Sequence, residues 1–129
     1  MAADAVLLIV TALQREGVGL KPMIDLTKAL GMSAVVEVYD EPELVHALKA
    51  GAQIIGVNSR NLDTLDENID QALRVLEGIP QDRIGLLFSS IKTRDDVECA
   101  RQAGAKGVLV GTAILKAEDP LAKLRELTS

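Results

Sequence analysis

The residues best suited to chemistry follow or interrupt short apolar runs, and they are Glu37, Asn58, Arg60, Ser89, Ser90, Gly111 and Thr112. Proteins with alternating strands and helices place their functional groups at the carboxyl ends of the strands. A carboxylate among apolar side chains can have a raised pKa, which suits proton transfer. A helix that begins at glycine can direct backbone N–H groups at phosphate. These residue types are therefore compatible with proton transfer and phosphate binding.

An internal repeat predicts the elements that position these residues. Residues 50–58 and 103–111 are near copies, and residues 30–38 form a looser third copy. In each copy a helical pattern stops at glycine and a short β-branched run follows, which is typical of a helix leading into a buried parallel strand. The interpretation is one α/β domain spanning residues 1–129, with strands near residues 5–10, 34–38, 53–57, 84–88 and 107–110, each followed by a helix.

Two strand orders fit these five βα units. The parallel sheet could keep the sequential order of a partial TIM barrel, which would leave one sheet face and two apolar edges open to water. A homodimer or a complementary barrel fragment would then cover the open surface. Alternatively, the sheet could be doubly wound in the flavodoxin-like order 2-1-3-4-5, with helices on both faces and Glu37 in the crevice at the strand ends.

Composition narrows the classes of partner. The formal charge is −5, and Tyr39 and Phe88 are the only aromatic residues, so the sequence argues against nucleic acid. It contains no apolar run long enough to span a membrane. Cys99 is the single cysteine, which fits a cytoplasmic location, and its helical surroundings predict a buried structural thiol. No cofactor or metal is expected.

Four segments in order carry a resemblance to a known family. They are residues 4–9, Val36-Glu37-Val38, Gly56-Val57-Asn58-Ser59-Arg60-Asn61-Leu62, and residues 110–115. Together they resemble indole-3-glycerol-phosphate synthase from its fourth strand to its eighth, over essentially the whole chain. The resemblance implies a barrel fold and the tryptophan-biosynthetic ring closure that releases carbon dioxide and water, which makes the enzyme a carboxy-lyase.

The resemblance also implies roles for individual residues. Glu37 matches the general base, and Asn58 and Arg60 match polar residues around the substrate. The phosphate-binding loops after the last two strands match Ser89, Ser90, Gly111 and Thr112.

The sequence departs from the family in two respects. Phe88-Ser89-Ser90 stands where the family's seventh strand ends in Glu-Ser-Gly. The strands that supply the family's general acid and two further charged residues are not in this sequence, and Met1 to Ala5 begins in the middle of a repeat. We therefore expect an excised or engineered barrel fragment that is catalytically silent alone and retains phosphate binding.

Two other functions remain compatible with the sequence. The chain could form an active synthase with a partner that supplies strands one to three. It could also be a flavodoxin-like receiver module, but that class needs acidic residues at the end of the first strand, where residues 10–13 read Val-Thr-Ala-Leu.

Overall fold

A computed structural model describes residues 2–129, which form five strands and seven helices. The strands are β1 (Ala5–Ile9), β2 (Ser33–Val38), β3 (Ile54–Asn58), β4 (Ile84–Phe88) and β5 (Gly107–Leu109). The helices are α1 (Val10–Arg15), α2 (Leu20–Ala29), α3 (Glu41–Lys49), α4 (Ile69–Glu77), α5 (Arg94–Gln102), α6 (Thr112–Leu115) and α7 (Pro120–Thr128). Each strand lies within one residue of its predicted bounds, and the predicted α/β class is confirmed.

The sheet is parallel and its strands follow the order of the chain, β1-β2-β3-β4-β5. This is the order of a partial TIM barrel, and the flavodoxin-like order 2-1-3-4-5 is wrong. In a doubly wound sheet the chain reverses direction so that helices cover both faces. Here every crossover connects adjacent strands in the same direction, so the helices lie on one side.

Local signals in the sequence explain where the helices begin. The side chains of Asp40, Thr93 and Asp119 accept hydrogen bonds from backbone N–H groups in the first turns of α3, α5 and α7. Thr93 and Asp96 form the predicted capping box. Side-chain caps stabilise a helix by about 1 kcal/mol each. These caps fix where each helix starts relative to the strand before it.

The main core lies between the sheet and these helices. Alternate strand residues point toward the helices and are almost completely buried, including Val36, Val57 and Leu87. From the helices, Ile24 and Val75 pack against the same layer. Because strand side chains alternate between faces, the remaining strand positions must point to the other side of the sheet.

That other side, called the inner face here, is apolar and open. Strand pairing aligns Leu7 with Val35, and Phe88 with Leu109. Leu7, Ile84 and Leu109 are 47%, 46% and 60% exposed. The inner face is therefore the surface that a partial barrel was predicted to leave uncovered.

The sequence predicts that Cys99 is buried, and this prediction is wrong, because Cys99 is exposed. The buried residue of α5 is its neighbour Ala100, which packs into the core where Cys99 does not. Within residues 2–129, no helix has the length and apolar character needed to cross a membrane.

Candidate active site

Glu37 and Asn58 lie on the inner face near the carboxyl ends of two adjacent strands. Both are buried, with 8% of each residue exposed. The register pairs Glu37 with Gly56, so Asn58 lies two residues further along β3 on the same face. The Asn58 side-chain oxygen accepts a hydrogen bond of 3.0 Å from the Arg60 backbone N–H. This fixes the amide orientation and leaves its NH₂ group as a donor.

The surroundings of Glu37 favour its protonated form. Burial raises the pKa of this carboxyl group, because removal from water destabilises the charged form. A hydrogen bond from Asn58 partly opposes the increase in the pKa, and the negative charge of Glu43 adds to it. A carboxylate with a raised pKa is a stronger base than an exposed one, so Glu37 is suited to accept a proton from a bound molecule.

The raised pKa of Glu37 gives a prediction for stability. A buried carboxyl group with a raised pKa contributes stability below its unfolded-state pKa and loses it as the pH rises through its folded-state pKa. Glu37→Gln should therefore raise the free energy of unfolding at neutral pH, and this gain should shrink toward low pH. Urea unfolding at a series of pH values measures the difference. The exposed Glu41→Gln is the matched control, and a pH-independent gain for Glu37→Gln would contradict the prediction.

A second polar cluster joins the loop after β3 to the loop after β4. The buried Ser59 hydroxyl donates to the Ser90 hydroxyl at 2.7 Å, and Ser90 donates to Glu67 Oε2 at 3.0 Å. Glu67 Oε1 accepts from Arg60 Nη2 at 2.6 Å, and Lys92 Nζ lies 3.9 Å from Oε2. The hydrogen bonds from Arg60 and Ser90 are the main reasons that the pKa of Glu67 is lowered, so Glu67 is an anion at neutral pH.

This cluster borders a cavity of about 400 Å³ at the carboxyl ends of β4 and β5. Its polar lining consists of Arg60, Glu67, Ser89, Ser90, Lys92, Thr112 and Lys116. Three of these side chains are cationic and one is anionic. The cavity therefore brings together Arg60, Ser89, Ser90 and Thr112 from the predicted set, next to Gly111, which directly precedes α6.

The backbone of the loop after β4 has an unusual conformation. Ser89 and Ser90 have φ values of 69° and 60°, in the left-handed region that non-glycine residues rarely adopt. For residues with a Cβ atom this conformation costs roughly 1–2 kcal/mol each. The sequence resemblance placed glycine at the position of Ser90, which explains why this backbone is strained here.

Ser89→Gly should stabilise the chain. Glycine removes the left-handed strain but loses more conformational entropy on folding, so we expect a net gain of about 0.5–1 kcal/mol. Ser89 is the better test position because Ser90 also makes side-chain hydrogen bonds that glycine would lose. The measurement is the urea midpoint of unfolding. Ser129→Gly, at the C-terminus, is the control, and a lower midpoint for Ser89→Gly would contradict the prediction.

The structure thus gathers the predicted residues into two neighbouring groups, Glu37 with Asn58 and Arg60 with the two serines. Sequence reasoning missed Ser59, Glu67 and Lys92. Ser59 is 1% exposed and lies between two residues that were selected, so its position was a usable signal. Glu67 has no comparable signal, because it reaches the site only through the fold of its loop.

The geometry defines part of a (βα) barrel with polar residues at the carboxyl ends of its strands. The family model of indole-3-glycerol phosphate synthase matches residues 1–127. The chain belongs to this family.

Curated relatives agree with the family match. The indole-3-glycerol phosphate synthases of Mycobacterium ulcerans and Mycobacterium avium are each 42% identical over 127 residues, covering 98% of this chain and 46% of the relative. The relative from Caldanaerobacter subterraneus is 42% identical over 119 residues. The chain therefore spans about half the length of the curated relatives it matches.

Solved structures with low sequence identity share the fold. Thiamine phosphate pyrophosphorylase from Pyrococcus furiosus has a TM-score of 0.72 at 21% identity, and covers 98% of this chain and 58% of its own. A mandelate oxidase mutant has a TM-score of 0.67 at 19% identity, and covers 97% of this chain and 47% of its own. The sequential βα arrangement is thus shared by proteins that have little sequence similarity to this chain.

Proposed function

We propose that this chain supplies the half of an indole-3-glycerol-phosphate synthase site that contains the general base, and that ring closure requires the strands of the remaining barrel. The observation that carries the proposal is the burial of Glu37 beside Asn58 at the carboxyl edge of the inner face. The raised pKa of Glu37 supports a role in removing a proton from the substrate. Asn58 and Arg60 would orient the substrate next to it.

The chain alone should be catalytically silent. The inner-face positions of its five described strands carry no lysine. The sheet therefore provides no ammonium group that could act as the general acid together with Glu37. An acid and a base typically contribute 10²–10⁴-fold each, and a closed site adds the advantage of positioning. By the family resemblance, the acid belongs to strands that are not part of this sequence. A complementary piece would also cover Leu7 and Leu109 on the open face.

The cavity at the ends of β4 and β5 is proposed to hold the substrate phosphate. Arg60, Lys92 and Lys116 provide positive charge around it, and Ser89 and Thr112 provide hydroxyl groups. Charge-assisted hydrogen bonds from such groups are the usual way in which proteins bind phosphate. We place the protein in the cytoplasm, where its free thiol would remain reduced.

Complementation tests the proposal. The full chain is mixed with the part of the Mycobacterium ulcerans relative that this chain does not match, and the product is followed by its indole fluorescence. We expect no product from either piece and product from the mixture. Size-exclusion chromatography with light scattering establishes whether a complex forms and whether the chain alone is a homodimer. A folded 1:1 complex that makes no product would refute the proposal, and so would turnover by the chain alone.

A further inference from the structure

In the cavity at the ends of β4 and β5, the donors Arg60 and Ser90 are already bound to an anion that belongs to the chain, the carboxylate of Glu67. One Glu67 oxygen accepts from Arg60 Nη2 at 2.6 Å, and the other accepts from Ser90 Oγ at 3.0 Å. Lys92 Nζ is 3.9 Å from the second oxygen. A guanidinium, a hydroxyl and an ammonium group around two carboxylate oxygens are the same kinds of donor that bind a phosphate.

An ordered loop holds Glu67 in this position. The Asn61 backbone N–H donates to the Asp66 carbonyl at 2.9 Å, and the Asn68 N–H donates to the Ser59 carbonyl at 2.8 Å. An antiparallel bridge pairs Arg60 with Glu67. The loop from 59 to 68 therefore folds back on itself, and it presents the carboxylate at a high effective concentration to the donors of the cavity.

We infer that Glu67 is a built-in competitor for the anion site, so that a phosphate monoester binds only when it displaces this carboxylate from Arg60 and Ser90. The inference rests on the proposed phosphate-binding role of the same cavity. Two anions cannot share these donors without strong repulsion at contact distance. Displacement would break the side-chain contacts of Glu67 with Arg60 and Ser90, while the backbone hydrogen bonds within residues 59–68 would remain.

A purely structural role for Glu67 makes the opposite prediction. If Glu67 only orients Arg60 for a ligand, its removal should weaken phosphate binding. If Glu67 competes with the ligand, its removal should strengthen binding. The direction of the change therefore separates the two roles.

The test is a titration of the full chain with inorganic phosphate at constant ionic strength, followed by amide NMR shifts of Ser89, Ser90 and Gly111. Glu67→Gln keeps the shape of the side chain without its charge, and Glu67→Ala empties the position. We expect both variants to bind phosphate about tenfold more tightly than the unaltered chain. Asp66→Asn is the matched control, because it makes the same change in net charge one residue away, on a side chain outside the cavity lining. It should bind like the unaltered chain.

Adding Arg60→Gln to Glu67→Gln should abolish the tighter binding, which would assign the gain to this site. Equal or weaker binding by both Glu67 variants, with phosphate still bound, would overturn the inference and leave the proposed phosphate site intact. If neither the variants nor the unaltered chain binds phosphate at Ser89, Ser90 and Gly111, the inference and the proposed phosphate site both fail. Circular dichroism of each variant confirms that the comparison is between folded chains.

Discussion

Glu37→Gln is expected to lower the turnover of the completed barrel by about 10²–10⁴-fold, which is the typical contribution of a general base. Glutamine has nearly the same shape as glutamate, so packing beside Asn58 is preserved while the proton acceptor is lost. Substrate binding should change little, because the phosphate cavity lies on other strands. The loss should therefore appear in kcat, with KM nearly unchanged.

The control for this experiment is Glu41→Gln, which removes one carboxylate from an exposed position in the first turn of α3. Its turnover should match that of the unaltered complex. The unaltered complex should also lose activity as the pH falls through the raised pKa of Glu37, because the base must be ionised to accept a proton. Full activity of Glu37→Gln in a complex that forms normally would show that another group is the base.

Gly56→Ala should lower the free energy of unfolding by about 1–3 kcal/mol, as overpacking of a filled site does. A Cβ atom on Gly56 would lie 2.3 Å from Cε2 and 2.4 Å from Cζ of Phe88. No real structure tolerates such contacts, so the aromatic ring or the strand must move. The ring is 7% exposed, so moving it would disrupt the contacts that now bury it.

A double-mutant cycle identifies the cause of this loss. In a Phe88→Ala background the same Gly56→Ala change should cost much less, because the ring that it meets is absent. Gly107→Ala is the matched control on β5, since its new Cβ would meet only the flexible end of Leu86 at 3.2 Å. Urea denaturation of the unaltered chain and the four variants gives the free energies. An equal cost of Gly56→Ala in both backgrounds would contradict the assignment to Phe88.

Most strands were predictable from the sequence because turn and cap residues mark one or both of their ends. Gly31, Gly51 and Gly104 have positive φ values and end the helices before β2, β3 and β5. Side-chain caps begin the helices after β2, β3 and β4. Strand order was not predictable, because a partial barrel and a doubly wound sheet use the same short apolar runs. Only the direction of each crossover distinguishes them, and that depends on tertiary packing.

The site, like the fold, was predictable only in part. Glu37 and Asn58 could be selected because a polar residue in a buried strand requires an explanation. Glu67 could not, because its place in the cavity depends on hydrogen bonds within an irregular loop. Cys99 shows that the exposure of a single helical residue is hard to predict, because neighbouring positions on a helix face different directions.

The sequential order of the sheet has a consequence for how the chain acquires its structure. Ala5 pairs with Ser33, Ile54 with Ile84 and Leu86 with Gly107, so each strand finds its partner in the next βα unit. Short separations between paired residues favour rapid folding, because little loop entropy opposes each pairing. As the chain leaves the ribosome, every new strand can dock on one that is already in place. Each later strand can therefore pair with the edge of the sheet that has already formed, before synthesis of the chain is complete.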